Sequence, residues 1–474
     1  MRDLLLFLII AGLIPVTLLR PWIGVLGWFW IGLMNPHRLT WGFMYSAPVA
    51  MAIGAAVLLG LLLTKDRRSL PVTREVVLLI VFAFYVTMTT YYAWSPTAWN
   101  QWDTVIKILL MTLVAPLLIY GERRIILLIL VATFSIGFYG LKGGIFVITS
   151  GGQNMVLGPP KSFITGNTDL GLALIMVTPL ILVSARMMTE RWVDLGWLNR
   201  RSKPIGLAMY ATFWLTILAT LFTYSRGALL GVLAIAPFLF LKMRRKLTLV
   251  MLFAMVVVAV GFTFPDKLVE RWQTIETYEE DGSAMSRLQA WEVNWNIAVE
   301  NPILGSGFNN AGMGAERWLS YSTRLDHRDS AQAAHSIYFQ MLGHHGFGGF
   351  AVFMGLVICT FLTFNRIRRT ARKDTGQVWL AEYAWALQVS LIGYLVAGAF
   401  LDHGYFNLLY AWIALAVIMR RELEEAPRAY VSSAPVPNAD VAPPPVRRPR
   451  FPDFIAASAV HDPPVADGSK SDGR

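Results

Sequence analysis

Long apolar runs dominate this chain and restrict the folds open to it. The 474 residues are 55% hydrophobic and only 15% charged, whereas a soluble domain is typically about 25% charged. The apolar residues cluster in runs of about 20, the length that an α-helix needs to cross a bilayer. Lipid offers no partner to backbone polar groups, so we expect each run to be helical. The sequence therefore predicts an all-α, polytopic membrane bundle.

The apolar runs predict about 12 transmembrane helices. Residues 3–34 form either one broken span or two short ones, because Pro15, Arg20 and Pro21 interrupt them. The other predicted spans are residues 47–64, 74–93, 104–120, 124–148, 168–188, 205–223, 227–241, 246–264, 336–364, 378–399 and 403–420. With their loops, these spans make residues 1–423 a single transmembrane domain.

Basic residues are divided unequally between alternate loops. Five short loops of one set carry 20 of them, whereas the short loops of the other set carry Arg38, Lys161 and Arg226. The positive-inside rule places the first set in the cytoplasm, together with the C-terminus. An even number of spans then places the N-terminus there too. Because the net charge of +11 is concentrated in short loops between spans, it does not indicate a nucleic-acid partner.

Two segments differ from the apolar runs. Residues 265–335 form a long outer loop, and residues 286–300 within it have the spacing of an amphipathic helix. Trp291 and Trp295 of that helix suit either the lipid headgroup level or packing onto the bundle. Residues 424–474 are rich in Pro, Ala and Ser without apolar periodicity, which predicts a disordered cytoplasmic tail.

Three polar side chains lie at borders between polar and apolar sequence on the outer side: Arg226, Arg287 and His335. A charge at a membrane border is a functional candidate unless lipid headgroups or water solvate it. Guanidinium groups bind phosphate oxygens in bidentate fashion, so we expect a basic pocket for a phosphate group. Three lysines near the outer ends of their spans either extend this pocket or reach towards the interface: Lys107, Lys142 and Lys161.

Metal and nucleotide sites are not expected. The single cysteine, Cys359, forms neither an intramolecular disulfide nor a metal cluster. His344 and His345 are adjacent and would diverge on a helix, which disfavours a zinc site that includes the nearby His403. Residues 301–307 resemble a phosphate-binding loop but lack its Gly-Lys-Ser/Thr ending. We therefore expect no cofactor.

Three motifs follow one another in the second half of the chain, and their order resembles that of the O-antigen ligase/polymerase superfamily of bacterial envelope enzymes. They are Ser225-Arg226-Gly227 before a helix, Arg287-x-x-x-Trp291 leading into Asn301-Pro-Ile-Leu-Gly-Ser-Gly307, and His335-Ser-Ile-Tyr338 entering a helix. The run Leu33-Met-Asn-Pro-His-Arg38 is more specifically similar to the exosortase-associated O-glycosylation ligases. The superfamily usually has Asn after the histidine, where this chain has Ser336.

The resemblance implies a glycosyltransferase of the bacterial inner membrane with its active site facing the periplasm. Such enzymes transfer a glycan from undecaprenyl diphosphate to an acceptor hydroxyl on lipid A core, a protein or another glycan, without metal or nucleotide. The resemblance assigns Arg226 and Arg287 to the stabilisation of negative charge on the leaving diphosphate. His335 becomes the general base, and Tyr338 joins the substrate-binding residues.

Two alternatives remain open from the sequence. A polysaccharide polymerase uses the same donor and differs from a ligase in its acceptor; its loss shortens glycan chains. A flippase or exporter of lipid-linked sugars belongs to another class. Such a transporter should carry charged residues near the middle of several spans, whereas the candidate charges here lie at the outer border. Their position favours an enzyme.

Overall fold

The computed structural model describes residues 1–243, 282–323 and 330–433, and these residues form helices joined by turns and loops, without a strand. Contacts divide the chain into a compact unit over Met1–Pro427 and a second unit over Arg428–Arg474. The fourteen α-helices within the described ranges are α1 Arg2–Leu19, α2 Pro21–Met34, α3 Val49–Leu63, α4 Arg74–Tyr91, α5 Ala98–Leu118, α6 Glu122–Thr149, α7 Asn167–Glu190, α8 Ser202–Leu221, α9 Arg226–Lys242, α10 Gly282–Glu300, α11 Ala315–Leu319, α12 Ile337–Ala371, α13 Val378–Ala397 and α14 Asn407–Ser433.

This architecture confirms the predicted all-α membrane bundle. By length and composition, eight of the described helices can cross a bilayer: α1, α4 to α8, α12 and α13. Helices α2 and α3 are apolar but shorter. The predicted span 246–264 lies outside the described residues, so the expected number of about 12 spans is not established. Helix α14 extends to Ser433, into the predicted tail, and the rest of that tail also lies outside the described residues.

Helix α7 is the centre of the bundle. Its most apolar window is 94% buried, against 17% for the peripheral helix α1. Its sequence explains this position, because α7 is apolar nearly all round from Leu170 to Ala185 and so can pack on every side. It contacts α6, α8, α9 and α13; of these, α9 begins at Arg226 and α13 leads to the segment that contains Asp402.

The N-terminal segment 3–34 forms two antiparallel helices, α1 and α2, with Arg20 at the turn between them. The Oδ1 atom of Asp3 accepts hydrogen bonds of 3.1 Å from the backbone amides of Gly42 and Met44. Helix α1 therefore begins at the end of the bundle where α2 ends. The expectation that the N-terminus lies on the side of the basic loops is wrong, because the chain turns at Arg20 and Pro21 into a second helix, while Pro15 lies within α1.

Contacts between loops follow the two sets that the charge distribution predicts. At one end, Arg124 forms an ion pair of 2.8 Å with Asp66, and both belong to basic loops. At the other end, the Nε2 atom of His403 lies 3.0 Å from the carbonyl oxygen of Phe163, and both belong to loops of the second set. The bundle thus has a basic end and an opposite end, and the candidate site lies at the opposite end.

Helix α12 is interrupted at Gly346, whose backbone is left-handed with φ 63°. The Asn301–Gly307 segment fills the break: the carbonyl oxygen of Pro302 accepts a hydrogen bond of 2.8 Å from the amide of Phe347. Non-helical backbone within a membrane bundle is tolerated only where other protein groups form hydrogen bonds with its amides and carbonyls. The segment that resembles a phosphate loop therefore supports a broken helix.

Replacing Gly346 with alanine should destabilise the protein by about 1–3 kcal/mol, because a left-handed backbone disfavours a side chain. A Cβ atom there would also lie 2.4 Å from the carbonyl oxygen of Pro302. Thermal unfolding of the purified protein in detergent measures the effect. Gly355→Ala in the same helix is the matched control, since its Cβ would meet only Leu78 Cδ1 at 3.9 Å. Equal melting temperatures for the two variants would contradict the expected strain.

Candidate functional site

His335 lies immediately before α12, in a left-handed backbone conformation with φ 49°. Its side chain is 44% exposed, and its Nδ1 atom lies 3.4 Å from Oδ2 of Asp402. A carboxylate at Nδ1 favours a proton on that nitrogen and leaves the Nε2 lone pair available. The arrangement is that of an imidazole oriented by a carboxylate and accessible to a ligand.

Asp402 belongs to the segment of residues 401–406, which connects α13 to α14 and is called the Asp402 segment below. Burial raises the pKa of the Asp402 carboxyl, and the neighbouring imidazole of His335 opposes that rise. Within the part of the chain that the structure describes, Oδ1 of Asp402 has no hydrogen-bond partner. The imidazole of His335, the backbone amides of His335 and Ser336, and His403 all favour the charged form of this carboxylate.

A second histidine–aspartate pair lies beside the first. The Nε2 atom of His403 is 3.7 Å from Oδ1 of Asp169. Asp169 lies in the first turn of α7, where its other carboxylate oxygen accepts a hydrogen bond of 3.0 Å from the amide of Gly166. Together with the contact to Phe163, this pair joins the Asp402 segment to the central helix.

Arg226 is the first residue of α9, and the hydroxyl of Ser225 caps that helix. The start of α9 packs closely on the end of α13: a Cβ atom at Gly227 would lie 3.3 Å from Cβ of Phe400. The side chain of Arg226 is exposed. Arg226 is therefore presented at the surface close to the Asp402 segment.

Arg287 lies on α10, which confirms the predicted helix in the outer loop and begins four residues before its expected start. One turn later, the ring of Trp291 stacks on Phe339 with centroids 5.1 Å apart, and it also lies 6.3 Å from Phe400. Trp291 therefore packs onto the bundle. Trp295 is 45% exposed, and its ring meets an aromatic side chain of α12.

The end of α13 is the point where the carriers of the three predicted catalytic residues meet. Phe400 contacts both the start of α9 and Trp291 of α10. Two residues further, Asp402 contacts His335. The structure thus brings together the elements that carry Arg226, Arg287 and His335, while the chemical roles of these residues stay predictions.

The three predicted lysines are dispersed. Lys107 forms an ion pair of 2.5 Å with Asp103 on α5. Lys142 is exposed on α6. Lys161 belongs to the loop whose carbonyl group, two residues later, contacts His403. Of these three lysines, Lys161 thus has a contact path to the Asp402 segment, and its role in substrate binding stays a prediction like those of the other two.

Tyr338 links the helix that follows His335 to its neighbour. Its hydroxyl donates a hydrogen bond of 2.9 Å to the carbonyl oxygen of Leu395 on α13. This bond holds the start of α12 against α13, which gives Tyr338 a structural contribution beside its predicted role in substrate binding.

Sequence interpretation missed Asp402, and it treated His403 only as a metal ligand. A signal was present: Leu401-Asp402-His403-Gly404 is a polar break in a short outer connection between two strongly apolar runs. His344 and His345 do not diverge as expected. The Nδ1 atom of one and the Nε2 atom of the other reach a single hydroxyl, that of Tyr405, which lies between them. His344 uses the ring nitrogen nearer its backbone and His345 uses the farther one, which lets the two adjacent side chains meet at one hydroxyl.

Two family models match the chain. Residues 1–189 match a family of unknown function, DUF5935, and residues 211–354 match the family described as O-antigen ligase. The second range contains Arg226, Arg287 and His335. No curated protein matches the chain significantly.

The fold and the site define a multi-pass membrane protein with a polar site at one end of its helical bundle. The match of residues 211–354 to the O-antigen ligase model supports the resemblance to the O-antigen ligase/polymerase superfamily. It supports a membrane glycosyltransferase of the ligase or polymerase type, a family that implies a lipid-linked glycan donor. The finer resemblance to the exosortase-associated O-glycosylation ligases stays a prediction.

Diethyl pyrocarbonate should modify His335 much faster than His344 or His345 in the folded protein. The side chain of His335 is 44% exposed, whereas His344 and His345 are 5% and 0% exposed. Peptide mass spectrometry after brief treatment gives the three rates. Treatment after unfolding is the control, and it should make all three rates similar. Equal rates in the folded state would contradict the described burial.

Proposed function

We propose that this chain transfers a glycan from undecaprenyl diphosphate to an acceptor hydroxyl at the periplasmic face of the bacterial inner membrane. The observation that carries this proposal is the exposed imidazole of His335 beside the half-buried carboxylate of Asp402, with 3.4 Å between Nδ1 and Oδ2. The pair lies at the end of the bundle opposite to the basic loops. The positive-inside rule supports a periplasmic position for that end.

His335 acts as the general base. With the proton of the neutral ring on Nδ1, facing Asp402, the Nε2 atom takes the proton of the acceptor hydroxyl. The acceptor oxygen then forms a bond to the anomeric carbon, while the bond between that carbon and the diphosphate oxygen breaks. Undecaprenyl diphosphate leaves with the electron pair, and the configuration at the anomeric carbon inverts. Asp402 stabilises the imidazolium ion that forms.

Arg226 and Arg287 stabilise the diphosphate as negative charge develops on it. A guanidinium group offers two parallel hydrogen bonds to phosphate oxygens. Arg226 lies at the N-terminus of α9, where the helix dipole also favours an anion. This mechanism contains no metal-dependent step, because the leaving diphosphate is already activated and the protein supplies the positive charge.

Ligases and polymerases of this enzyme class differ in the acceptor that receives the glycan. A ligase passes the glycan to lipid A core or to a protein hydroxyl, whereas a polymerase passes it to another lipid-linked glycan. We favour the ligase, on the resemblance of the ordered motifs. Loss of a ligase leaves chains of normal length on the lipid carrier, and loss of a polymerase shortens them.

Replacing His335 with alanine should lower the rate of transfer by about 10²–10⁴-fold, the usual contribution of a general base. Asp402→Asn should also lower this rate by at least about tenfold, because the amide does not stabilise the imidazolium ion. The assay uses the purified chain in EDTA, a synthetic undecaprenyl-diphosphate glycan and candidate acceptors.

Asp66→Asn is the control for these variants, since it removes an ion-paired carboxylate at the basic end of the bundle. We expect it to retain the unsubstituted chain's rate. Full activity in His335→Ala would reject the general-base role, and a requirement for an added divalent ion would reject the metal-independent mechanism.

Arg226→Ala should weaken donor binding and lower kcat, because it removes charge that acts on the diphosphate in both the bound and the transition state. Arg226→Lys keeps the charge but loses the two parallel hydrogen bonds, so its kcat should lie between those of the unsubstituted chain and Arg226→Ala. Arg420→Ala removes an arginine paired with Glu424 at 3.0 Å near the basic end, and it is the control. An Arg226→Ala variant that binds and transfers normally would remove this residue from the mechanism.

A further inference from the structure

A buried chain of hydrogen bonds connects α4, α12 and the Asp402 segment. The Oγ1 atom of Thr89 lies 2.6 Å from Nδ1 of His345. The Nε2 atom of His345 lies 2.7 Å from the hydroxyl of Tyr405, and Nδ1 of His344 lies 3.1 Å from that same hydroxyl. All four side chains are buried. The proposed transfer reaction assigns none of them a role.

The bond that the Thr89 hydroxyl makes within its own helix selects one arrangement of the protons in this chain. Thr89 also lies 3.1 Å from the carbonyl oxygen of Val86, to which its hydroxyl donates. Thr89 therefore accepts from Nδ1–H of His345, whose Nε2 accepts the proton of the Tyr405 hydroxyl. The hydroxyl oxygen then accepts from Nδ1–H of His344. Every proton has one acceptor, so two neutral imidazoles hold the Tyr405 hydroxyl in a single orientation.

Further bonds hold the two residues that precede Tyr405. The hydroxyl of Tyr394 donates to the carbonyl oxygen of His403 at 2.9 Å. The amide of Gly404 donates to Oε1 of Gln340 at 3.0 Å, and Gln340 lies on the same helix that follows His335. Tyr405 is therefore the last of three consecutive residues after Asp402 that are fixed by buried side chains.

The composition of this network indicates more than packing. The ring of Phe308 lies 4.9 Å from the rings of both His345 and Tyr405, in contacts that apolar residues also make. Burying two imidazoles and two hydroxyls within a membrane bundle costs free energy, which the hydrogen bonds between them must offset. A buried polar network of this kind favours one arrangement of the chain. Here that arrangement includes the carboxylate that faces His335.

We propose that Tyr405 is a positioning residue for the Asp402–His335 pair. His344 and His345 hold its hydroxyl, and the hydroxyl holds the Asp402 segment in the register that places the carboxylate at the imidazole. The effect of Tyr405 on catalysis rests on the proposed function, because it acts through the general base. Its effect on the position of the segment does not depend on that function.

Tyr405→Phe tests this role, since it keeps the ring and removes only the hydroxyl. We expect kcat to fall about tenfold, because small displacements of catalytic groups have large effects on rate. The KM for the donor should change less than about twofold, since the residue binds no substrate. The control is Tyr383→Phe, which removes a buried hydroxyl 3.1 Å from Ser184 elsewhere in the bundle. We expect this control to retain both constants.

A double-mutant cycle separates positioning from general loss of structure. In the Asp402→Asn background, Tyr405→Phe should lower kcat by less than about twofold, because the interaction it supports is already lost. Equal effects of Tyr405→Phe in both backgrounds would overturn the proposal. A Tyr405→Phe single variant with the kcat of the unsubstituted chain would overturn it as well.

Hydrogen exchange gives a readout that needs no activity. Backbone amides of residues 401–406 should exchange at least about fivefold faster in Tyr405→Phe than in the unsubstituted chain or in Tyr383→Phe. His345→Gln is a second variant that should accelerate exchange in the same peptide. Unchanged exchange in both would overturn the proposal. Faster exchange in a protein without transferase activity would support the positioning and reject the proposed function.

Discussion

Backbone hydrogen bonding in a bilayer is the constraint on which this structure depends. Because lipid satisfies no amide or carbonyl group, the spans are helical and their side chains are largely apolar. Polar chemistry is therefore confined to places where helices begin and end. Arg226 is the first residue of α9, His335 precedes α12, and Asp402 follows α13. The site is assembled from helix ends that the packing around α7 brings to one side of the bundle.

The interruption of α12 at Gly346 shows how the same constraint admits an exception. Two amides after the break donate to Pro302, and the preceding turn accepts bonds from Ser306 and Gly307. The break is therefore sealed by protein rather than exposed to lipid. It lies directly after His344 and His345, so one short region of α12 carries both the irregular backbone and the imidazoles that hold Tyr405. The glycine-containing segment Asn301–Gly307 thus has a structural explanation in the sealing of this break.

Sequence alone predicted what local pattern determines. Apolar runs predicted the helices, most of them with boundaries within a few residues of those observed, although α5 begins earlier and α12 and α14 end later than expected. Helical spacing predicted α10. Motif order pointed to Arg226, Arg287 and His335 as site residues, and it indicated the O-antigen ligase family, whose model matches residues 211–354. Pairing between distant residues was not predictable in this way: the contact of Asp402 with His335 depends on how α12 and α13 pack, as does the meeting of two imidazoles at Tyr405. The predicted side of the N-terminus was wrong because the turn at Arg20 adds one helix and so reverses the side on which the first helix begins.

The pair of His403 and Asp169 has a consequence for how this chain can vary. Asp169 belongs to the region matched by the family of unknown function, whereas His403 lies beyond the region matched by the O-antigen ligase family. Helix α7, which carries Asp169, is also the axis around which the later helices pack. The two matched regions are thus not interchangeable modules. A chimera that took its first 189 residues from a relative would exchange Asp169, the partner of His403, together with the helix on which the later helices pack, so we expect these parts to be compatible only as a matched set.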